Sequence, residues 1–301
     1  AEPYRATLTR LQDAAPPMPA EVVHEVMAEQ IGDDWRDRFS EFDDHPAASA
    51  SIGQVHRGTS RDGREVAVKV QYPGAAKALT NDLNQMMRMG RMFGSWLPGV
   101  DIKALLDEIR ERVSEELDYL RESQSQRMFA AAFEGDPDFA IPHVLFAAPR
   151  VLVTEWQEGQ ALSQIIAGGT QEERDAAGLL YQRFVLSSPA RAGLLQADPH
   201  PGNYRITPDG RMGVVDFGAV AHLPDGYPRA MGRLIRVAIS GDAESFREGL
   251  REEGFLRPHI SLDAERVLDF LAPFVEPVRH ERFNYSRDWM RSLFDLSLIH
   301  I

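Results

Sequence analysis

The sequence predicts an α+β fold in two lobes, and three observations lead there. Short valine-rich runs punctuated by turn residues fall within residues 41–71 and again within 144–156. Two helical periodicities, at about 75–96 and 101–128, lie between those strand groups. From about Ala161 onward the pattern is mainly helical. The natural boundary therefore lies near residue 156, with an N-terminal lobe over 1–155 and a C-terminal lobe over 156–301. A chain of 301 residues is long enough for two lobes and a large core.

Composition narrows the function classes. Hydrophobic residues make up 43% and charged residues 26%, which excludes a disordered or low-complexity chain. There is no cysteine, so thiol catalysis, zinc fingers and disulfide frameworks are excluded, and a reducing compartment fits. The net charge of −13 excludes a broad electrostatic footprint for nucleic acid. No run approaches the ~20 apolar residues of a membrane span, and the opening residues lack the apolar segment of a signal peptide. Without an initiator Met, and ending in LSLIHI, the chain reads as a fragment. Of the 33 basic residues only Lys69, Lys77 and Lys103 are lysine. Arginine elsewhere reads simply as the usage of a GC-rich genome; a retained lysine points to a need for a compact ammonium only where a second observation supports it.

In chain order, Pro16-Pro17-Met18-Pro19 precedes a helical pattern from Ala20 to about Ile31. A run beginning at Val55, the Arg61-Asp62-Gly63 turn and VAVKVQ at 66–71 read as a hairpin that Pro73-Gly74 ends. The helix at 75–96 carries Met86, Met87, Met89, Met92 and Phe93, a core-filling set. The helix at 101–128 carries a stripe of Ile102, Leu105, Leu106, Ile109, Val113, Leu117 and Leu120. VLF at 144–146 and VLVTEW at 151–156 form another strand pair. A loop-and-strand insert at about 194–217, turning at Pro208-Asp209-Gly210, interrupts the helical second half.

The residues with chemical potential fall in four places. In VAVKV, Val66, Val68 and Val70 point to one sheet face and Ala67, Lys69 and Gln71 to the other. A small residue beside a cation suits a nucleotide base and its phosphates, although Lys69 alone reads equally as a lysine on a solvated face. Glu116 lies within the apolar stripe; there it needs a cation such as Lys69, or it lies at the stripe's edge and reaches water. Asp118 points elsewhere on the same helix. In QADPHPGNYRITPDGRMGVVDFGAV, Asp198 and Asn203 have the D-x-x-x-x-N spacing of a phosphoryl-transfer loop, and Asp216 opens D-F-G. Such chemistry needs an oxygen pair for Mg²⁺, here Asn203 and Asp216, and a carboxylate to orient the nucleophile, here Asp198. Finally, PAASASIGQV places Ala48, Ser49, Ala50 and Ser51 where a phosphate-cradling glycine loop would stand.

Together PAASASIGQVHRG, GREVAVKVQYPG, EELDYLRES, ADPHPGN and VVDFGAV resemble the UbiB-type atypical kinases, the AarF and ADCK group, over roughly residues 10–220. The resemblance implies a protein-kinase-like fold with an alanine-rich loop, and binding of ATP with Mg²⁺. It implies a Lys69–Glu116 ion pair at the nucleotide site, Asp118 completing an E-x-D, Asp198 as the catalytic aspartate, and Asn203 and Asp216 as metal ligands. Thr154, Glu155 and Trp156 are expected to form the hinge and present backbone groups to adenine. ATPase activity, support of isoprenoid quinone biosynthesis, isoprenoid lipid or quinone-pathway proteins as partners, and a cytoplasmic location with peripheral membrane contact through segments missing from this chain are further implied. The family's K-x-G-Q motif and membrane-spanning C-terminal part are absent. A nucleotide-binding scaffold without turnover is the alternative. Only Ala219–Asp225 separate D-F-G from the next helical pattern, no A-P-E follows, and Ala197 precedes Asp198, all of which speak against a peptide kinase.

Overall fold

The computed structural model describes residues 17–50, 52–93, 109, 117–255 and 263–299. Ser51, Glu116 and most of the helix expected at 101–128 lie outside the described residues. The chain divides into two compact units, one ending at Gly226 and the other starting at Tyr227. The expected lobe boundary at 155/156 falls within the first unit, at the end of a strand.

The first unit begins with α1 (Ala20–Ile31), which buries Val23, Val26 and Met27 at helical spacing. They pack on Val66, Val68 and Val70 of β3 (Glu65–Gln71), all at 0% exposure. β1 (Phe39–Ala50) and β2 (Gly53–Ser60) form a hairpin beside β3. β5 (Val144–Ala148) and β6 (Val151–Glu155) complete an antiparallel five-stranded sheet of order β1-β2-β3-β6-β5. The period-2 pattern of VAVKV is thus realised: one face meets α1, and the other carries Lys69.

α2 (Ala75–Phe93) follows β3 and buries Leu83 and Met87. The expected run through 128 is broken at Leu117-Asp118, and α3 spans Tyr119–Ala132. Asp118 starts α3: its Oδ1 accepts the Leu120 N–H at 2.9 Å and caps the helix. α3 turns Tyr119, Glu122, Ser123, Gln126, Phe129 and Ala130 inward.

The rest of the first unit carries the short strands that hold the Asp198–Asn203 loop. These are β4 (Phe139–Ala140), β7 (Gln160–Ala161), β9 (Tyr204–Ile206) and β10 (Met212–Val214), in sheet order β4-β10-β9-β7. β8 (Leu194–Gln196) pairs with β11 (Val220–His222). α4 (Leu162–Gly168) precedes α5 (Gln171–Ala192), which opens with a Thr170/Glu173 capping box. Phe129, Phe133, Phe139, Phe184 and Phe217 meet in one core, so the Phe of D-F-G is anchored against α3 and α5. The second unit contains α6 (Arg229–Ser240), α7 (Ala243–Glu252), α8 (Ala264–Val275) and α9 (Arg287–Ile299), with Leu234, Ala238, Phe246 and Val275 at its centre. Among the described residues no helix is long and apolar enough to cross a membrane.

Candidate active site

Lys69 projects from β3 into a carboxylate pair. Its Nζ lies 2.8 and 3.0 Å from the two Glu122 oxygens and 3.1 Å from Asp216 Oδ2. Glu122, on the first turn of α3, holds Lys69; the expected partner Glu116 lies outside the described residues. The N-cap at Asp118 sets the phase of α3 and places Glu122 on its buried face. Burial opposes the Lys69 ammonium, yet the Asp216 and Glu122 carboxylates outweigh it and hold its pKa well above the usual lysine value. Burial pushes Glu122 up against the pull of Lys69. Asp216 is also buried, but Lys69 and the Gly218 N–H keep its pKa below the usual aspartate range. One ammonium thus serves two carboxylates, leaving the cluster a net negative charge that suits a further cation.

The loop from Asp198 to Asn203 is equally ordered. Asp198 Oδ1 accepts the His200 N–H at 3.1 Å, and Oδ2 accepts the Asn203 amide at 2.7 Å. Below the loop, Tyr204 is fully buried and donates to Gln196 Oε1 at 2.5 Å. The Gln196 amide in turn donates to the Asp216 carbonyl at 3.4 Å. The 198–203 loop and Asp216 are therefore tied through one buried side chain.

A cation site is tested by the donor set. The Asn203 amide nitrogen is committed to Asp198, which directs its carbonyl oxygen elsewhere. Asp216 follows β10 where Asn203 precedes β9 in the same hairpin, and the Val215 N–H donates to Asn203 O at 3.0 Å. Among the described residues no three His, Cys, Asp or Glu side chains cluster as a closed metal cage. Two protein oxygens without a cage fit Mg²⁺, which keeps waters and phosphate oxygens in its shell. The residues present fit that ion.

The remaining expected residues are placed as follows. Ala48, Ser49 and Ala50 are the end of β1, paired with Val55, Gln54 and Gly53, so the alanine-rich stretch is a hairpin arm. Ser51 at the tip lies outside the described residues. Ala67 shares the Lys69 face of β3 and pairs with Thr154. Asp118 acts as the cap of α3. At the expected hinge, the Glu155 N–H donates to His143 O at 3.0 Å and the Trp156 N–H to Glu65 O at 2.9 Å. The backbone donors of Glu155 and Trp156 are therefore committed to the sheet. The Trp156 ring lies under the Arg57 guanidinium at 4.8 Å, and the Glu155 carboxylate accepts from His143.

Glu122, Tyr119 and Gln196 were missed as site residues. Asp118 ahead of an apolar period was the available signal for the first two. Tyr119 is fully buried, its ring centroid is 5.2 Å from Lys69 Nζ, and its hydroxyl has no partner among the described residues. Gln196 carried no signal beyond its place two residues before Asp198.

The chain is similar to known proteins in sequence and in fold. Residues 10–250 match the model of the ABC1 atypical kinase-like domain. The chain is 35% identical over 268 residues to the uncharacterized protein slr1919 of Synechocystis, covering 85% of this chain and 46% of that one. It is 32% identical over 254 residues to the mitochondrial atypical kinase coq-8 of Caenorhabditis elegans, covering 82% and 34%. The chain thus spans between about a third and a half of these curated relatives. A solved complex of the Mycobacterium tuberculosis protein Rv3197 with erythromycin aligns with a TM-score of 0.82 and 45% identity, over 97% of this chain and 74% of that one. The fold is the expected α+β, protein-kinase-like one, and the chain belongs to the ABC1 atypical kinase-like family, with COQ8 atypical kinases among its relatives.

Proposed function

We propose that this chain binds ATP with Mg²⁺ and hydrolyses it, or transfers its γ-phosphoryl group to a small-molecule or lipid acceptor, in support of isoprenoid quinone biosynthesis. The observation that carries the reading is the meeting of Lys69 with Glu122 and Asp216 beside the Asp198–Asn203 loop. Lys69, held in place by Glu122, would bond the phosphates. Asn203 and Asp216 would hold Mg²⁺. When bound, that ion would neutralise charge on the phosphate oxygens. Asp198, fixed by the His200 and Asn203 donors, would orient the acceptor hydroxyl or water and take its proton. The new P–O bond would form from that oxygen, the bond from γ-phosphorus to the bridging oxygen would break, and its electron pair would leave on ADP. The Gln157 N–H, without a hydrogen-bond partner among the described residues, is the hinge donor proposed for adenine.

Two features favour a non-peptide acceptor. After D-F-G the chain enters β11 at once, Leu223 N–H bonds Gly193 O, and α6 begins at Arg229, which leaves little segment for a peptide platform. The Mycobacterium tuberculosis neighbour, moreover, was solved with a small molecule, a macrolide. The test is MgATP hydrolysis by the full chain with and without vesicles containing an isoprenoid lipid. Turnover that Asp198→Asn abolishes, and that lipid raises, is expected. Tight MgADP binding with no turnover under either condition would leave the scaffold alternative.

A further inference from the structure

His200 lies between Pro199 and Pro201, inside the loop that joins Asp198 to Asn203. The two prolines restrict the backbone on either side of it. Its ring is exposed, and Nδ1 accepts the Gly202 N–H at 3.2 Å. Gly202 must be glycine for this arrangement: a Cβ there would stand 2.9 Å from Nδ1 and 3.0 Å from Cε1 of the ring. Because Nδ1 acts as an acceptor, the neutral ring carries its proton on Nε2. That Nε2–H has no partner among the described residues. In its protonated form the ring also helps hold the Asp216 carboxyl low, which puts it within electrostatic reach of the proposed metal ligand.

Lys69 is engaged by Glu122 and Asp216, and methyl groups at Ala48 and Ala50 border the hairpin that would cover the phosphates. A preorganised donor aimed at developing charge is worth most in such a site. We infer that His200 is a further catalytic residue, whose Nε2–H hydrogen-bonds a non-bridging oxygen of the γ-phosphoryl group as it transfers. No proton moves from the ring in this role; bond making and breaking remain as given above, and the inference rests on that kinase reading.

Two substitutions separate catalysis from loop structure. His200→Asn keeps an acceptor oxygen near the Nδ1 position for Gly202 but has nothing at the Nε2 position. His200→Gln places an amide N–H near Nε2. Steady-state ATP hydrolysis, calorimetric titration with MgADP and a thermal melt are measured on the full chain and both variants. The expected result is a kcat lower by about 10–100-fold in His200→Asn, partial recovery in His200→Gln, and MgADP affinity and Tm close to the parent in both. Unchanged kcat in His200→Asn would overturn the role. So would a loss of kcat that follows equal losses of MgADP affinity or Tm, because the ring would then only cap the loop. A parent chain that binds MgADP without turnover would overturn the kinase reading itself, and the His200 role with it.

Discussion

Glu122 grips Lys69 with both carboxylate oxygens, at 2.8 and 3.0 Å, from the first turn of a helix whose N-cap is Asp118. Breaking a buried pair by removing one charge costs roughly 3–5 kcal/mol, because the partner is left uncompensated. Asp216 remains beside Lys69 at 3.1 Å, so the lower end applies to Glu122→Gln. We expect Glu122→Gln and Lys69→Ala each to lower both the melting temperature and MgADP affinity. Glu116→Gln should cost less on both counts, and calorimetry with a thermal melt on all three variants gives the order. The reverse ranking would restore Glu116 as the partner of Lys69.

Asp216 sits between Lys69 and the Gly218 N–H. Asp216→Asn keeps the shape but removes the charge that a divalent cation needs. Binding of MgATP should weaken more than binding of ATP in the presence of a chelator. Equal weakening of the two would assign Asp216 to holding Lys69 alone.

How far the site could be read in advance follows from local chemistry. Lys69, Asp198, Asn203 and Asp216 each belong to a short segment with a pattern of its own, and in the structure Lys69 meets Asp216 and Asn203 meets Asp198. The strand alternation around Lys69 was legible because Val66, Val68 and Val70 must bury and Lys69 must not. Glu122 was not legible from a continuous 3.6-residue stripe, because the stripe restarts at Asp118, where a side-chain cap competes with the helix. The pairing of the Glu155 and Trp156 N–H groups was not legible for a different reason. Whether Glu155 and Trp156 face a ligand or a neighbouring strand depends on pairing with His143 and Glu65, residues far from them in sequence. Gln196 is a buried amide whose value lies in linking two distant backbones, which composition does not encode.

The alanine-rich arm can be tested from both sides of its hairpin. Ala50 pairs with Gly53, and a Cβ on Gly53 would come within 2.3 Å of Val70 O and 3.0 Å of the Tyr119 hydroxyl. Gly53→Ala should therefore destabilise the protein by about 1–3 kcal/mol, the usual range for overpacking. Ala50→Gly frees the arm to settle on the phosphates. It is expected to raise MgATP affinity in a calorimetric titration. A lower melting point with unaltered affinity would mean that the alanines only pack the hairpin.

A last prediction concerns pH and the anchoring of α1. Buried His56 donates from Nδ1 to Asp43 O at 2.8 Å and accepts at Nε2 from the Gln54 amide at 2.9 Å. Gln54 in turn accepts the Met18 N–H at 2.8 Å, fixing the chain just ahead of α1. A proton on Nε2 would face the Gln54 NH₂ group and break this relay. Burial accordingly lowers the His56 pKa from its ordinary 6.5, against the pull of Asp43, Asp44 and the Asp43 carbonyl, with His24 adding to the lowering. A group lowered in the folded state binds more protons unfolded, so its contribution is complete above about pH 6.5 and is lost as pH falls from there through the folded value. Lowered carboxylates such as Asp44 and Glu155 act in a more acidic window, below their ordinary 3.8 and 4.5. His143, whose pKa is raised by Glu155, works with the opposite sign, losing its contribution as pH rises through its folded value. Comparing the parent with His56→Gln isolates the relay. The gap in Tm between them should be widest above pH 6.5 and narrow steadily below it. A gap that stays constant across pH 5–7.5 would mean that His56 is protonated as readily in the folded chain as in the unfolded one.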